Sequence, residues 1–409
     1  MRTDYTISNL CRLHWRLDRF LVSQSSTVSC ILLLKSGETK PRKKKKRKRG
    51  GESIKMSPKT SKPLKATPKY VLRKFMRVTI KILMAYVALS LVLIAIPHAY
   101  KFIWGDKITS EVLSKVSSNT TDPKELALRI YSWEQQNFAN PYFIQPENMS
   151  LIEKLLAGYG FYYDKQGEVH LFRPFNIFPV PPQWVLHSKL ANCEEYAKVF
   201  VYLMSQEGVK ARIVRAPGED HAWAEYYVEN YKIIFDPSNP KNPVIVNPKQ
   251  FGQLKNFSYV EAYDPANPDH KEDVSDEYIE RGRLIVKVVK GNEPVSGATV
   301  EVLSTYLRER FPKRYDAPRY VVVNETGKDG TTQFKLGPKE YKIMGKKCSF
   351  LICWKGESTG KVIAGSTTYA KLELRVDYVT TSILCALTII PTGVLMLVIH
   401  KRYVYQRQQ

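Results

Sequence analysis

The sequence predicts an α+β protein held between two membrane-spanning helices. Three observations predict it. Residues 191–237 read as one amphipathic helix followed by strands. Residues 282–375 alternate short strands with Gly, Asn and Asp turns, the pattern of an all-β sandwich. Two apolar stretches, Ile82 to Tyr100 and Tyr378 to Ile399, are free of Asp, Glu, Lys and Arg and would run about 28 and about 33 Å as helices.

The helix comes first because it carries the most reactive side chain. Tyr196, Ala197, Phe200, Val201, Leu203 and Met204 recur at spacings of three and four, and Gly208 supplies a helix stop. Cys193 therefore sits at the first helical turn. Unpaired backbone N–H groups there favour a thiolate, while Glu194 and Glu195 oppose one. A strand from Val209 follows.

His221 to Val228 and Tyr231 to Asp236 are rich in aromatic and β-branched residues, and Glu229-Asn230 breaks them, so they form an antiparallel hairpin. A two-residue loop pairs Val228 with Tyr231. That register sets Trp223 opposite Asp236, with His221 two residues further out on the same face, within side-chain reach. Taken singly, a free cysteine is most often a small buried hydrophobe and a histidine an ordinary packed imidazole. The order Cys193, His221, Asp236 is what a thiol nucleophile, a base and a carboxylate that orients the base require.

These residues resemble the transglutaminase-like superfamily. Cys193-Glu-Glu-Tyr-Ala197, Gly208-Val-Lys-Ala-Arg212, His221-Ala-Trp-Ala-Glu225 and Phe235-Asp-Pro237 match its pattern in order. Upstream, the stretch from Asp122 to Asn137 looks like the family's leading helix, with Asp122 as N-cap and Pro123 at the first position. The resemblance covers residues 105–260 and implies a papain-like core. It also implies roles: Cys193 the nucleophile, His221 the general base and then acid, Asp236 the group that holds the imidazole. Many relatives have a small residue where this chain has Asn192. The Cys193 backbone N–H is the default oxyanion donor, with Gln183 and Trp184 as weaker candidates. The activity implied is a membrane-anchored, extracytoplasmic thiol enzyme that cleaves amide bonds of proteins or peptides through a Cys193 thioester. Transfer to an amine, giving crosslinks, is one alternative, and a non-catalytic surface scaffold is the other. No cofactor is expected, and no Cys/His cluster has metal-ligand spacing.

The net charge of +24 is uneven: residues 1–81 hold 23 of the 63 Lys and Arg but 4 of the 39 Asp and Glu. Basic residues lie on the outer side of both apolar stretches. The positive-inside rule then puts both termini in the cytoplasm and residues 101–377 outside. Sequons at Asn119, Asn148, Asn256 and Asn324 all fall between the stretches. Lys40 to Arg49 is almost wholly basic, but no aromatic residues are interleaved. It reads as a solvated run against anionic lipid, with no nucleic-acid partner. Residues 1–55 differ in character from the rest, and Met56 is an alternative start.

The organisation expected is a basic segment 1–81, a transmembrane helix 82–100, a transglutaminase-like domain 105–260 and a linker 261–281. A sandwich module 282–375, a second transmembrane helix 378–399 and a tail 400–409 complete it. In the module, Pro294-Val-Ser-Gly-Ala298 and Asp329-Gly330 with Phe334 resemble carboxypeptidase-regulatory-like (prealbumin-like) domains, which implies a spacer or a ligand-binding role. Cys348 and Cys353 bracket Ser-Phe-Leu-Ile, which reads as continuous strand. Their Cα atoms would then lie about 17 Å apart, too far for a disulfide.

Overall fold

The computed structural model describes residues 68–118, 120–139, 161–163, 169–171, 180–310, 317–385 and 396. The basic segment up to residue 67, Met56 included, lies outside the described residues, as do most of 378–399 and the tail 400–409. The architecture is mixed helix and sheet, with several antiparallel sheets.

Helix α1 runs from Pro68 to Val116, and α2 from Pro123 to Asn137. As expected, Asp122 caps α2 by accepting from the Lys124 N–H, and Pro123 stands where a missing N–H costs nothing. A short strand pair, β1 (Phe161–Tyr163) and β2 (Val169–Leu171), is followed by α3 (Pro182–Ser188) and α4 (Cys193–Gln206). Next come β3 (Ala211–Ala216), β4 (His221–Val228) and β5 (Tyr231–Phe235). With β6 (Glu261–Tyr263) and β7 (Lys271–Asp273) they form a five-stranded antiparallel sheet in the order β5-β4-β3-β6-β7. Val228 pairs with Tyr231, the register anticipated for a two-residue loop.

The apolar face of α4 lies on this sheet. Phe200 stacks on Phe235 at 4.7 Å between ring centroids, and Ile130 of α2 with Val112 and Val116 of α1 completes the same core. The opposite face of the sheet carries Trp223, which is sealed by Phe257, Val260, Val274, Tyr278 and Ile279. Residues 261–281, expected as a linker, are thus part of the packing. They supply β6, β7 and α6 (Ser275–Tyr278), and Tyr278 is fully buried. Helix α5 (Pro248–Lys255) lies beside them. Gly252 of α5 passes so close to α6 that a Cβ there would meet the Tyr278 carbonyl oxygen at 2.2 Å.

The C-terminal unit has two sheets around one apolar cluster. Strands β8 (Gly282–Lys290), β9 (Glu293–Pro294), β12 (Thr331–Leu336) and β15 (Thr367–Glu373) make one sheet, in which β15 runs parallel to β8. Strands β10 (Thr299–Ser304), β11 (Arg319–Glu325), β13 (Glu340–Ser349), β14 (Ile352–Lys361) and β16 (Arg375–Val376) make the other. Helix α7 (Tyr306–Arg310) lies between β10 and β11.

Two expectations are corrected here. The segment from Cys348 to Cys353 is not a continuous strand. Phe350 takes a left-handed conformation (φ 54°), the chain reverses, and the two cysteines face each other across β13 and β14. Their Cα atoms are 4.1 Å apart and they form a disulfide. The second correction concerns the membrane. Among the described residues no helix is long and apolar enough to cross one. Residues 82–100 are the middle of α1. The helix continues through Lys101, Asp106, Lys107 and Glu111 into turns that bury Val112 and Val116 in the protein core. Side chains at 90, 93 and 94 lie outside the described residues. The two flanking transmembrane helices are therefore not supported. The expected two-pass localisation, with cytoplasmic termini and an exterior domain, loses its basis with them, as does the use of the four sequons to support it.

Candidate active site

Cys193 is placed by its helix cap. Asn192 is extended (φ −93°), so the position needs no glycine. Its side chain accepts from the N–H groups of Glu194 (2.9 Å) and Glu195 (3.3 Å), and its own N–H donates to Glu195 Oε2 at 3.2 Å. This reciprocal capping box fixes the start of α4 and hence the direction of the Cys193 side chain. The thiol donates to the Asp220 carbonyl oxygen at 3.7 Å, and the Ala222 backbone N–H faces the sulfur. The sulfur therefore lies against the chain on both sides of His221.

His221 opens β4, just after a 3-10 turn (Pro217–Glu219) and Asp220, which is left-handed (φ 53°). An aromatic cluster backs it: Trp223 lies 5.9 Å and Phe251 6.0 Å from the imidazole, centroid to centroid, both rings tilted against it. Its Nε2 is 2.9 Å from Asp236 Oδ2. In the tautomer that donates this bond, Nδ1 is left as the basic nitrogen. The parity argument from the hairpin is met, since the two side chains share a face and touch.

Asp236 is 3% exposed, and both its oxygens have partners. Oδ1 accepts from the Ser238 N–H (3.1 Å) and from its hydroxyl (2.7 Å). Burial pushes this carboxyl up. The charge and hydrogen bond of His221 and the hydrogen bond from Ser238 more than offset that, and its pKa ends below the ordinary value. The thiol goes the other way. Burial pushes Cys193 up, the Asp220 carboxylate adds to it, the Ala222 N–H works against it, and Asp236 and Glu194 add again. The helix terminus does not win: burial and the surrounding carboxylates set the direction of the thiol's shift upward.

Residues beyond the sequence reading support the ring. Trp223 Nε1 donates to the Tyr278 hydroxyl (3.1 Å), which donates to Glu225 Oε1 (2.7 Å). Glu225, fully buried, also accepts from Arg212 Nε at 2.7 Å, and Lys232 lies 3.4 Å away. Ser238 was legible as the second residue after an Asp, where Asx turns form. Tyr278 and Phe251 carried no local signal. Gln183 is committed elsewhere: its amide donates to the Tyr202 hydroxyl at 2.9 Å, roughly 13 Å along the α4 axis from Cys193. Trp184 packs against Tyr100 and His187, at 5.5 and 5.4 Å.

Residues 175–237 match the family model of the transglutaminase-like superfamily. The chain thus carries a domain of that superfamily, and the matched span holds Cys193, His221 and Asp236. No curated protein matches the sequence. The match does not reach residues 282–375, so the expected carboxypeptidase-regulatory-like module draws no support from it.

Proposed function

We propose that the protein is a thiol enzyme acting on amide bonds of proteins or peptides, with Cys193 as nucleophile, His221 as base and then acid, and Asp236 as the group that orients the imidazole. One observation carries the reading: the sulfur sits against residues 220 and 222 while His221 between them is hydrogen-bonded to Asp236. The Cys193 proton passes to His221 Nδ1, and the sulfur attacks the carbonyl carbon. The C–N bond breaks as the imidazolium protonates the leaving amine, and a thioester remains. Water, deprotonated by His221, then releases the acid and restores the thiol. We assign the Cys193 backbone N–H, at the first helical position, as the oxyanion donor.

Substituting an amine for water gives crosslinking instead. A second reading, a scaffold that keeps the fold without catalysis, is favoured by one observation: the thiol proton is spent on a backbone carbonyl. The test is peptide-resolved labelling of Cys193 by a thiol-directed electrophile. An activated thiol labels faster than a free cysteine peptide and slows to or below that rate in His221→Ala. Equal rates in wild type and variant would leave the scaffold. With a protein substrate and a tagged amine, cleavage without tag incorporation marks the hydrolase, and incorporation marks the transamidase.

A further inference from the structure

The turn before His221 is held jointly by Ser258 and by side chains of the C-terminal unit. Glu219 is 7% exposed. Its Oε2 accepts from the Ser258 N–H (2.8 Å), and its Oε1 accepts from the Ser258 hydroxyl (2.6 Å), the Ser304 hydroxyl (3.2 Å) and Lys339 Nζ (2.9 Å). Lys339 lies 120 residues away in sequence, is partly buried, and also donates to the Asn256 carbonyl oxygen. Gly218 leaves no room for a side chain: a Cβ there would sit 2.8 Å from Val321 and 3.3 Å from Ser304. Asp220, whose carbonyl receives the thiol, has its carboxylate paired with Arg319 of β11.

A buried carboxylate with four donors, one of them a cation, is costly to assemble and rigid once assembled. Nothing in the 3-10 turn itself needs such an anchor. What the anchor fixes is the backbone of residues 219–222, which presents the Asp220 carbonyl and the Ala222 N–H to the sulfur and starts the strand that carries the imidazole.

We infer that Lys339, Ser304 and Arg319 of the C-terminal unit are positioning residues for the Cys193–His221 site, acting through the Pro217–Asp220 turn. The unit is then an integral part of the site and not a spacer. The inference rests on the proposed reading only for its catalytic consequence; the coupling between the two units stands on geometry. The carboxylates that act on the sulfur are Asp220 from the turn, Asp236 from the hairpin and Glu194 from α4. Arg319 is the cation paired with the first of these.

The experiment uses the full chain and iodoacetamide, and follows the Cys193 peptide by mass spectrometry from pH 6 to 10. Melting curves are recorded for every variant. Arg319→Met removes the guanidinium paired with the Asp220 carboxylate beside the thiol and slows alkylation at pH 7 by about three-fold, with the rate profile displaced to higher pH. Asp220→Asn shifts the profile the opposite way, and adding Arg319→Met to it has no further effect. Lys339→Met leaves Glu219 buried without its cation, loosens the turn and speeds alkylation about three-fold. Combining it with Glu219→Gln restores the profile toward wild type.

A role confined to stability would move the melting curves and leave the profiles superimposed, and that result overturns the inference. Should Lys339→Met fail to fold, Arg319→Met, half-exposed on β11, still decides. The His221→Ala variant separates the two claims. If its labelling equals wild type while Arg319→Met shifts the profile, the positioning holds and the catalytic reading falls. If His221→Ala slows labelling and Arg319→Met shifts nothing, the reverse is true.

Discussion

Glu134 offers the sharpest test of how this core was assembled. It lies on α2 with no exposed surface, and neither carboxylate oxygen has a hydrogen-bond partner among the described residues. The neighbouring Tyr196 hydroxyl is spent on the Phe138 carbonyl oxygen. Burial alone pushes the Glu134 carboxyl well above the ordinary glutamate value. A raised folded-state value means that its contribution to stability is complete below the unfolded value, near 4.3, and is lost as pH rises toward and through the folded value. Each pH unit in that window costs about 1.4 kcal/mol. Between pH 5 and pH 7 the wild type should therefore lose stability through this one group. Glu134→Gln keeps the shape and removes the titration. Denaturant unfolding, followed by tryptophan fluorescence at pH 5, 6, 7 and 8, should give curves that nearly coincide at pH 5 and separate steadily above it, the variant being the more stable. Parallel pH dependences for the two proteins would refute the reasoning, because they would mean that Glu134 is either solvated or paired in the folded state.

Three further outcomes are expected. Asn192→Ala removes the capping box on α4 and should cost about 1 kcal/mol, with Asn192→Asp recovering most of it in the same denaturant titration. Tyr278→Phe strips the hydroxyl that links Trp223 to Glu225 and should cost about 1–3 kcal/mol, since the buried indole N–H loses its acceptor; an unchanged unfolding midpoint would show that the link is not made. Cys348→Ser opens a disulfide that closes only a short hairpin, a loss of about 2 kcal/mol in the chain-entropy picture, and wild type melted in reductant should match the variant.

The disulfide also shows where local reading stops. In Ser-Phe-Leu-Ile, Phe350 and Ile352 favour strand, and the segment has none of the Gly, Asn or Asp that most strongly mark a turn. The reversal is imposed by the pairing of β13 with β14 over ten residues each, and Phe350, 95% exposed, accepts a left-handed backbone as the local cost. For residues 82–100 the membrane reading failed for a related reason. A run of apolar residues specifies a helix face and a length, but the helix it belongs to extends beyond the run and ends in the packed core. Helix α4, the Asp122 cap of α2, and the β4–β5 hairpin register were legible, because each depends on residues within a few positions of one another.

The amino-acid order alone determined that a thiol would open a helix and that an imidazole and a carboxylate would share one hairpin face, since 3.6- and 2-residue periodicities are local consequences of backbone geometry. Tertiary structure decided the direction in which that thiol is shifted, because its desolvation and the nearness of Asp220 and Asp236 depend on which distant segments close over it. It also decided that Lys339, Ser304 and Arg319 would grip the turn beside it. Contacts over such separations arise only when two hydrophobic cores pack against a common loop, and no spacing rule along the chain encodes them.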